Sequence, residues 1–316
     1  MYKTLFGPVA SRRLGRSLGV DLVPYKVCSY NCIYCQLGET TDLTIDRKTY
    51  QPTRLIYNEI MDFLKTSDSS RETDIISLAG SGEPTLAKNC GQVIRWIRDI
   101  TPIPMAVLTN GSMLWREEVR EDLISADIVL PSIDAVTDEV FQRINRPAPA
   151  LSIEKILDGI EKFSKIFNGR LFPEVMVIEG FNDHDGEIKK IIQYLRKLNP
   201  DRVHLNVVER PGTDKDVKSP RADRMKEIAS MFPMEIPVDI VGKSPHIFTP
   251  GDRKNIEEKI LSHLARRPAV PGDLAAGLGV SPEVITNALG ELVKQDKIIE
   301  TPDRTDNYYY LKRRLS

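Results

Sequence analysis

Through its first 250 residues the chain alternates short, nearly unbroken apolar runs with stretches whose apolar positions recur every three to four residues. The runs fall at 17–24, 74–80, 104–110, 126–134, 172–180 and 202–209, with a final one at 236–242. They are rich in Val and Ile and carry few polar positions, which suits strands covered on both faces of a parallel sheet. The intervening stretches have helical spacing. In 54–67, Leu55, Ile56, Ile60, Phe63 and Leu64 share one face, and 90–100, 115–126, 151–167 and 185–199 read the same way. Regular alternation of strand and helix predicts βαβ units. The expected fold is α/β, a partial (β/α)6 TIM-like barrel, with any site built from loops at the C-terminal ends of the strands.

The pattern changes after residue 250. A helix is expected over 253–268, stopped by Pro268, and a short second one over 271–280. A third is expected over 281–298, with Ser281 as N-cap, Pro282 in the first helical position and Glu283 behind it. Two short strands around a polar turn follow in 298–314. Three helices and a hairpin predict a winged helix. The expected division is therefore 1–250, a barrel core with an N-terminal extension, and 251–316, a winged helix-turn-helix domain, with the boundary in 249–254.

Composition narrows the function classes. A length of 316 residues accommodates one large domain and a small one. Formal net charge is −1, so no global field recruits nucleic acid or an anionic membrane. In the last stretch the basic residues gather at the ends, at Arg266, Arg267, Lys312, Arg313 and Arg314. The third helix offers Thr286, Asn287 and Lys294 but no arginine, a poor footprint for duplex DNA. No apolar run approaches the roughly 20 residues that span a bilayer, and residues 1–15 lack the apolar centre of a signal peptide. The expected location is the cytoplasm, where thiols stay reduced and a disulfide framework is disfavoured.

Three of the four cysteines fall within eight residues: Cys28, Cys32 and Cys35 in "VCSYNCIYCQLG". A zinc site wants four ligands, commonly as paired Cys-x2-Cys units. The remaining thiol, Cys90, opens a helical pattern and reads as a small buried apolar residue. Three thiolates in a compact loop suit a [4Fe–4S] cluster with one iron left open for a further ligand.

The loop "CSYNCIYC", with Tyr34 before its last cysteine, resembles that of the radical S-adenosylmethionine (SAM) superfamily. The resemblance implies a cluster held by Cys28, Cys32 and Cys35, chelation of SAM at the open iron, and reductive cleavage to a 5′-deoxyadenosyl radical that abstracts hydrogen from substrate. It also implies an electron donor of flavodoxin or ferredoxin type. Further motifs follow successive strands in the order the family has them. Gly82, Glu83 and Pro84 match its Gly-Glu-Pro motif, where a carboxylate and backbone carbonyls receive the SAM ammonium; taken alone they are an ordinary turn. Thr109 and Asn110 match a polar SAM contact, though Asn110-Gly111 is also a turn signal. Ser132 and Asp134 resemble the Ser-x-Asp position, or else cap the next helix. Gly180 and Asn182 resemble the adenine-side motif, and Asn206 is a further candidate. The likeness covers roughly residues 15–245.

The stretch 6–24 with "CQLG" resembles a subgroup loosely similar to wyosine-tRNA synthases. Those enzymes carry a second cluster on three further cysteines; with only Cys90 to spare, this chain is expected to hold one. Arg12, Arg13 and Arg16 suit either a substrate phosphate or carboxylate or a salt-bridged face, and His204 and His246 read as structural. The substrate is expected to be macromolecular, a tRNA base or a protein or peptide residue, because a recognition domain is appended. The alternative is an iron–sulfur redox or SAM-sensing regulator whose winged helix binds DNA.

Overall fold

The computed structural model describes residues 2–66, 73–210, 212–242, 256–265, 268–278, 280–303 and 306–312. The chain opens with an antiparallel pair, β1 (Leu5–Ser11) and β2 (Gly15–Val20). Two two-residue strands, β3 (Val27–Cys28) and β4 (Asp42–Leu43), pair in parallel and brace the cysteine loop between them. The alternation then runs α1 (Thr53–Thr66), β5 (Ile75–Leu78), α2 (Cys90–Ile100), β6 (Met105–Thr109), α3 (Glu117–Leu123), β7 (Ile128–Pro131). Next come α4 (Asp138–Asn145), α5 (Ile153–Ile166), β8 (Arg170–Leu171), β9 (Glu174–Val177), α6 (Asp185–Leu198), β10 (Val203–Val207), α7 (Ala222–Ser230) and β11 (Val238–Val241).

One sheet has the order β1-β2-β5-β6-β7-β8, parallel from β2 onward, and a second parallel sheet has the order β11-β10-β9. A bridge between Ser132 and Glu174, with Ile133 N–H donating to Glu174 O at 2.8 Å, carries one sheet into the other. The β8–β9 break falls at Phe172-Pro173, where proline withholds a ladder donor. Among the described residues no ladder joins β11 to β1, so the wall is an open, partial barrel of mixed α/β construction.

The predicted strands and helices lie where expected, within a few residues. β1 and the helices α4 and α7 were not expected from the sequence. The strand interiors are buried on both sides, as in Ile75–Leu78 and Ile128–Pro131. Their outer faces pack with the amphipathic helices into one large core, and Ile75, Ala106, Ile128 and Leu130 form a smaller cluster with Leu14 and Phe172 packed against it.

The C-terminal stretch folds as α8 (Ile256–Leu264), α9 (Pro271–Leu278), α10 (Pro282–Lys294) and the antiparallel pair β12 (Ile298–Asp303) and β13 (Asp306–Leu311). It has its own apolar core, including Ile260, Leu274, Ile285, Leu289, Leu292 and Ile298. Ser281 is the N-cap of α10 with Pro282 following, but its side chain makes no capping hydrogen bond. The expected boundary 249–254, together with His246, Arg266, Arg267, Arg313 and Arg314, lies outside the described residues.

Candidate active site

The cysteine loop sits at the C-terminal ends of the parallel strands, and its backbone is fixed before any side chain is considered. Asn31 N–H donates to the carbonyls of Asn145 and Arg146 at 3.0 Å, and Ile33 N–H to that of Ile144 at 3.0 Å. These carbonyls end α4 and have no partner within their own helix, so the loop caps α4 and α4 holds the loop. On the other side Thr44 N–H donates to Cys28 O at 3.0 Å and Thr40 Oγ1 to Tyr30 O at 2.7 Å.

Each loop cysteine faces a side-chain N–H. Lys26 Nζ donates to Cys35 Sγ at 3.2 Å, Asn145 Nδ2 to Cys32 Sγ at 3.5 Å and Asn110 Nδ2 to Cys28 Sγ at 3.6 Å. All three cysteines are free thiols that keep some contact with solvent. Burial nonetheless pushes Cys28 up to about 12, with the Glu83 charge adding to it, and pushes Cys32 well above the ordinary thiol range, with Asp134 adding. Burial thus disfavours a bare thiolate at these positions, and a bound metal would supply the positive charge that stabilises it. Among the described residues no group of three His, Cys, Asp or Glu side chains converges as a single metal ion requires. A cubane, whose thiolates bind separate irons, makes no such demand. Cys90 is fully buried at the start of α2, as its apolar reading expects.

The other predicted residues surround this loop, but several are committed to holding it. A Cβ on Gly82 would lie 1.9 Å from Val27 O, so glycine here admits the strand that carries Cys28. Glu83 is 2 % exposed and accepts from Thr85 N, Thr85 Oγ1, Thr109 Oγ1 and Asn110 N at 2.6–3.0 Å. Burial raises its pKa and these four donors pull it back. Pro84 opens a single 3-10 turn, Pro84–Leu86. The Asn110 amide also donates to Ser29 Oγ at 2.9 Å, and Ser29 meets Ser112 at 2.5 Å.

Asp134 is the hub of a second network. It accepts from Tyr34 Oη at 2.5 Å, Asn145 Nδ2 at 2.8 Å and Met176 N at 2.9 Å. Burial raises its pKa against the pull of those donors. Asp134 therefore ties the loop to β9 rather than capping the next helix; α4 has Thr137 as its N-cap. Ser132 is half-buried at the end of β7, paired with Glu174. Gly180 has a φ of +74° with open space around it. Asn182 is fully buried, donates to Asp134 O and Met176 O at 2.7 and 2.8 Å, and accepts from Ile178 N at 2.8 Å. Its amide thus ties the end of β9 to Asp134. Lys26, Ser29 and Asn145 were not singled out from the sequence. Lys26 adjoins the loop in sequence, whereas Asn145 comes from 113 residues away and leaves no local signal.

Arg12, Arg13 and Arg16 are all paired within the chain, with Glu209, Glu174 and Asp74 respectively. The salt-bridged reading of these arginines holds, and none is a free phosphate grip. His204 is buried, edge-on to Phe172 at 5.5 Å, with Nδ1 3.6 Å from Glu174.

A sequence profile described as the Radical SAM superfamily matches residues 22–195, which include the loop and the predicted SAM-contact positions from Tyr34 to Asn182 but not Asn206. The chain belongs to the Radical SAM superfamily. It is a radical SAM enzyme, with a [4Fe–4S] cluster and SAM as cofactors. It is 32 % identical to a UPF0026 protein of Methanocaldococcus jannaschii, covering 97 % of this chain and 95 % of that one. It is 35 % identical over 94 % of its length to a GTPase Obg of Brachyspira hyodysenteriae, of which it spans only 44 %. In fold it is similar to a radical SAM methyltransferase from Sphaerobacter thermophilus, with a TM-score of 0.52 and 18 % identity over 71 % of this chain and 65 % of that one.

Proposed function

We propose that Cys28, Cys32 and Cys35 hold the [4Fe–4S] cluster, and that the chain acts on a macromolecular substrate, a tRNA base or a protein or peptide residue. The observation that carries the ligand assignment is the loop itself: three thiols fixed on α4 and the β3–β4 pair, each facing a side-chain N–H. When bound and reduced, the cluster supplies cleavage of SAM to methionine and a 5′-deoxyadenosyl radical, which abstracts hydrogen from substrate. The residues of this chain bind and orient. Glu83 places negative charge behind the turn that receives the SAM ammonium, and Asp134, held by Tyr34 and Asn145, fixes the edge of the site at β7. Ser132, Gly180 and Asn182 shape the strand ends where the adenosyl part would lie.

Arg13, paired with Glu174, lies with His204 and Asn206 in a mostly buried polar region of the barrel. There Arg13 Nε, His204 Nδ1 and Asn206 Oδ1 are buried without a hydrogen-bond partner among the described residues. The elements α8–α10 and β12–β13 are read as a winged helix that helps to hold a large substrate, and a flavodoxin- or ferredoxin-type protein as the electron donor. Among the described residues no helix is long and apolar enough to cross a membrane.

Anaerobic reconstitution with iron and sulfide tests the assignment. The wild type should develop a broad visible absorption and, with dithionite and SAM, release 5′-deoxyadenosine. Cys28→Ala, Cys32→Ala and Cys35→Ala should each abolish both, while Cys90→Ala should keep them. Full cluster content in any of the three loop variants would overturn the ligand set.

A further inference from the structure

We infer that Lys26, Asn110 and Asn145 form a set of N–H donors, one to each loop cysteine, through which Lys26 sets the reduction potential of the bound cluster. This rests on the ligand assignment above. The three contacts come from three separate parts of the chain: the residue before β3, the loop after β6 and the last residue of α4. Asn110 and Asn145 come from 82 and 113 residues away, so the donors to Cys28 and Cys32 are not a product of local loop geometry.

Lys26 differs from the two amides in carrying charge. It is 2 % exposed, one of the largest fully buried side chains in the protein. A buried ammonium is strongly disfavoured unless an anion or acceptor faces it, and Cys35 Sγ is the acceptor at 3.2 Å. The backbone is bent to put it there: Lys26 has a φ of 59°, an unusual conformation for a residue with a side chain. Its N–H donates to Ser81 O, in the turn before Gly82, and its carbonyl accepts from Thr41 and Asp42.

Net charge and hydrogen bonds to the sulfurs are among the levers that set iron–sulfur potentials. Reduction adds one negative charge, so a nearby cation and N–H donors stabilise the reduced form. Removing the cation must make the midpoint more negative. Removing a neutral amide donor, as at Asn145, must shift it the same way to a smaller extent.

An EPR-monitored redox titration of the reconstituted protein tests this directly. Lys26→Met should bind iron and sulfide at the wild-type ratio and show a more negative midpoint, and Asn145→Leu a smaller shift in the same direction. An unchanged midpoint in fully loaded Lys26→Met overturns the inference. If that variant does not hold a cluster, the wild type decides. Protein grown with 15N-lysine should show nitrogen modulation in the spin echo of the reduced cluster, and its absence overturns the inference. Failure of the wild type itself to take up a cluster would instead refute the ligand assignment, before any potential is read.

Discussion

At Glu174 two opposing effects meet. Burial alone would favour its neutral acid, but Arg13 and then His204 pull its pKa below the ordinary value of 4.5. A carboxylate with a depressed folded pKa contributes stability that is present above its unfolded value and lost as the pH falls through the folded one. Glu174→Gln leaves the largely buried Arg13 guanidinium without its anion, which by the behaviour of broken buried pairs should cost about 3 kcal/mol at pH 7. Urea denaturation of wild type and variant should show that gap narrow as the pH is lowered below 4.5. An equal gap at pH 7 and pH 3 would mean that charge is not its source. The sequence marked Arg13 as a residue to watch, but not its partner 161 positions away. Gly82 was legible from its motif as a position facing a ligand; that its missing side chain also makes room for Val27 was not legible, because Val27 lies 55 positions away.

Among the elements, α4 matters most to the site and was not foreseen. Its eight residues are short for a periodicity argument, although Thr137, the acidic pair Asp138 and Glu139, and Val140, Phe141 and Ile144 spell out a start and a buried face. Its two ends explain its role. The C-terminal carbonyls take the cysteine loop. At the N-terminal end the buried Glu187 of α6 accepts from Val136 N, Thr137 N and Thr137 Oγ1 at 2.9–3.2 Å. A carboxylate there satisfies donors that the helix cannot satisfy itself and complements its dipole. Glu187→Ala should lower unfolding stability by roughly 2 kcal/mol and, because α4 and the loop cap each other, slow cluster uptake during reconstitution. Unaltered stability would show that water replaces the carboxylate at little cost. The strands, by contrast, were plain in the sequence, since burial on both faces leaves nearly unbroken apolar runs such as 75–78, interrupted only by the buried Ser77, and 128–131.

The helices and hairpin after residue 256 were legible as elements, because their capping residues and apolar spacing are local. Their docking was not, because it depends on residues far apart in the chain. Arg210, mostly buried, donates to Gln36 Oε1 at 3.0 Å and pairs with Asp273 of α9. Tyr308 Oη of β13 donates to Glu209 O at 2.6 Å, and Glu209 in turn pairs with Arg12. Gln36 directly follows Cys35, so one guanidinium joins the cysteine loop to the C-terminal helices. Arg210→Met keeps much of the side chain's bulk but removes every donor, leaving Gln36 and Asp273 without this link. Hydrogen exchange followed by mass spectrometry should then rise in two places at once, around 33–38 and in α9, with the strands of the barrel unchanged. Faster exchange in α9 alone would mean that Arg210 anchors the C-terminal helices without supporting the loop. Unchanged exchange at both would mean that Tyr308 and the apolar packing of α8 and α9 against β1 suffice. A rise at both sites makes the C-terminal elements part of what holds the cysteine loop in place.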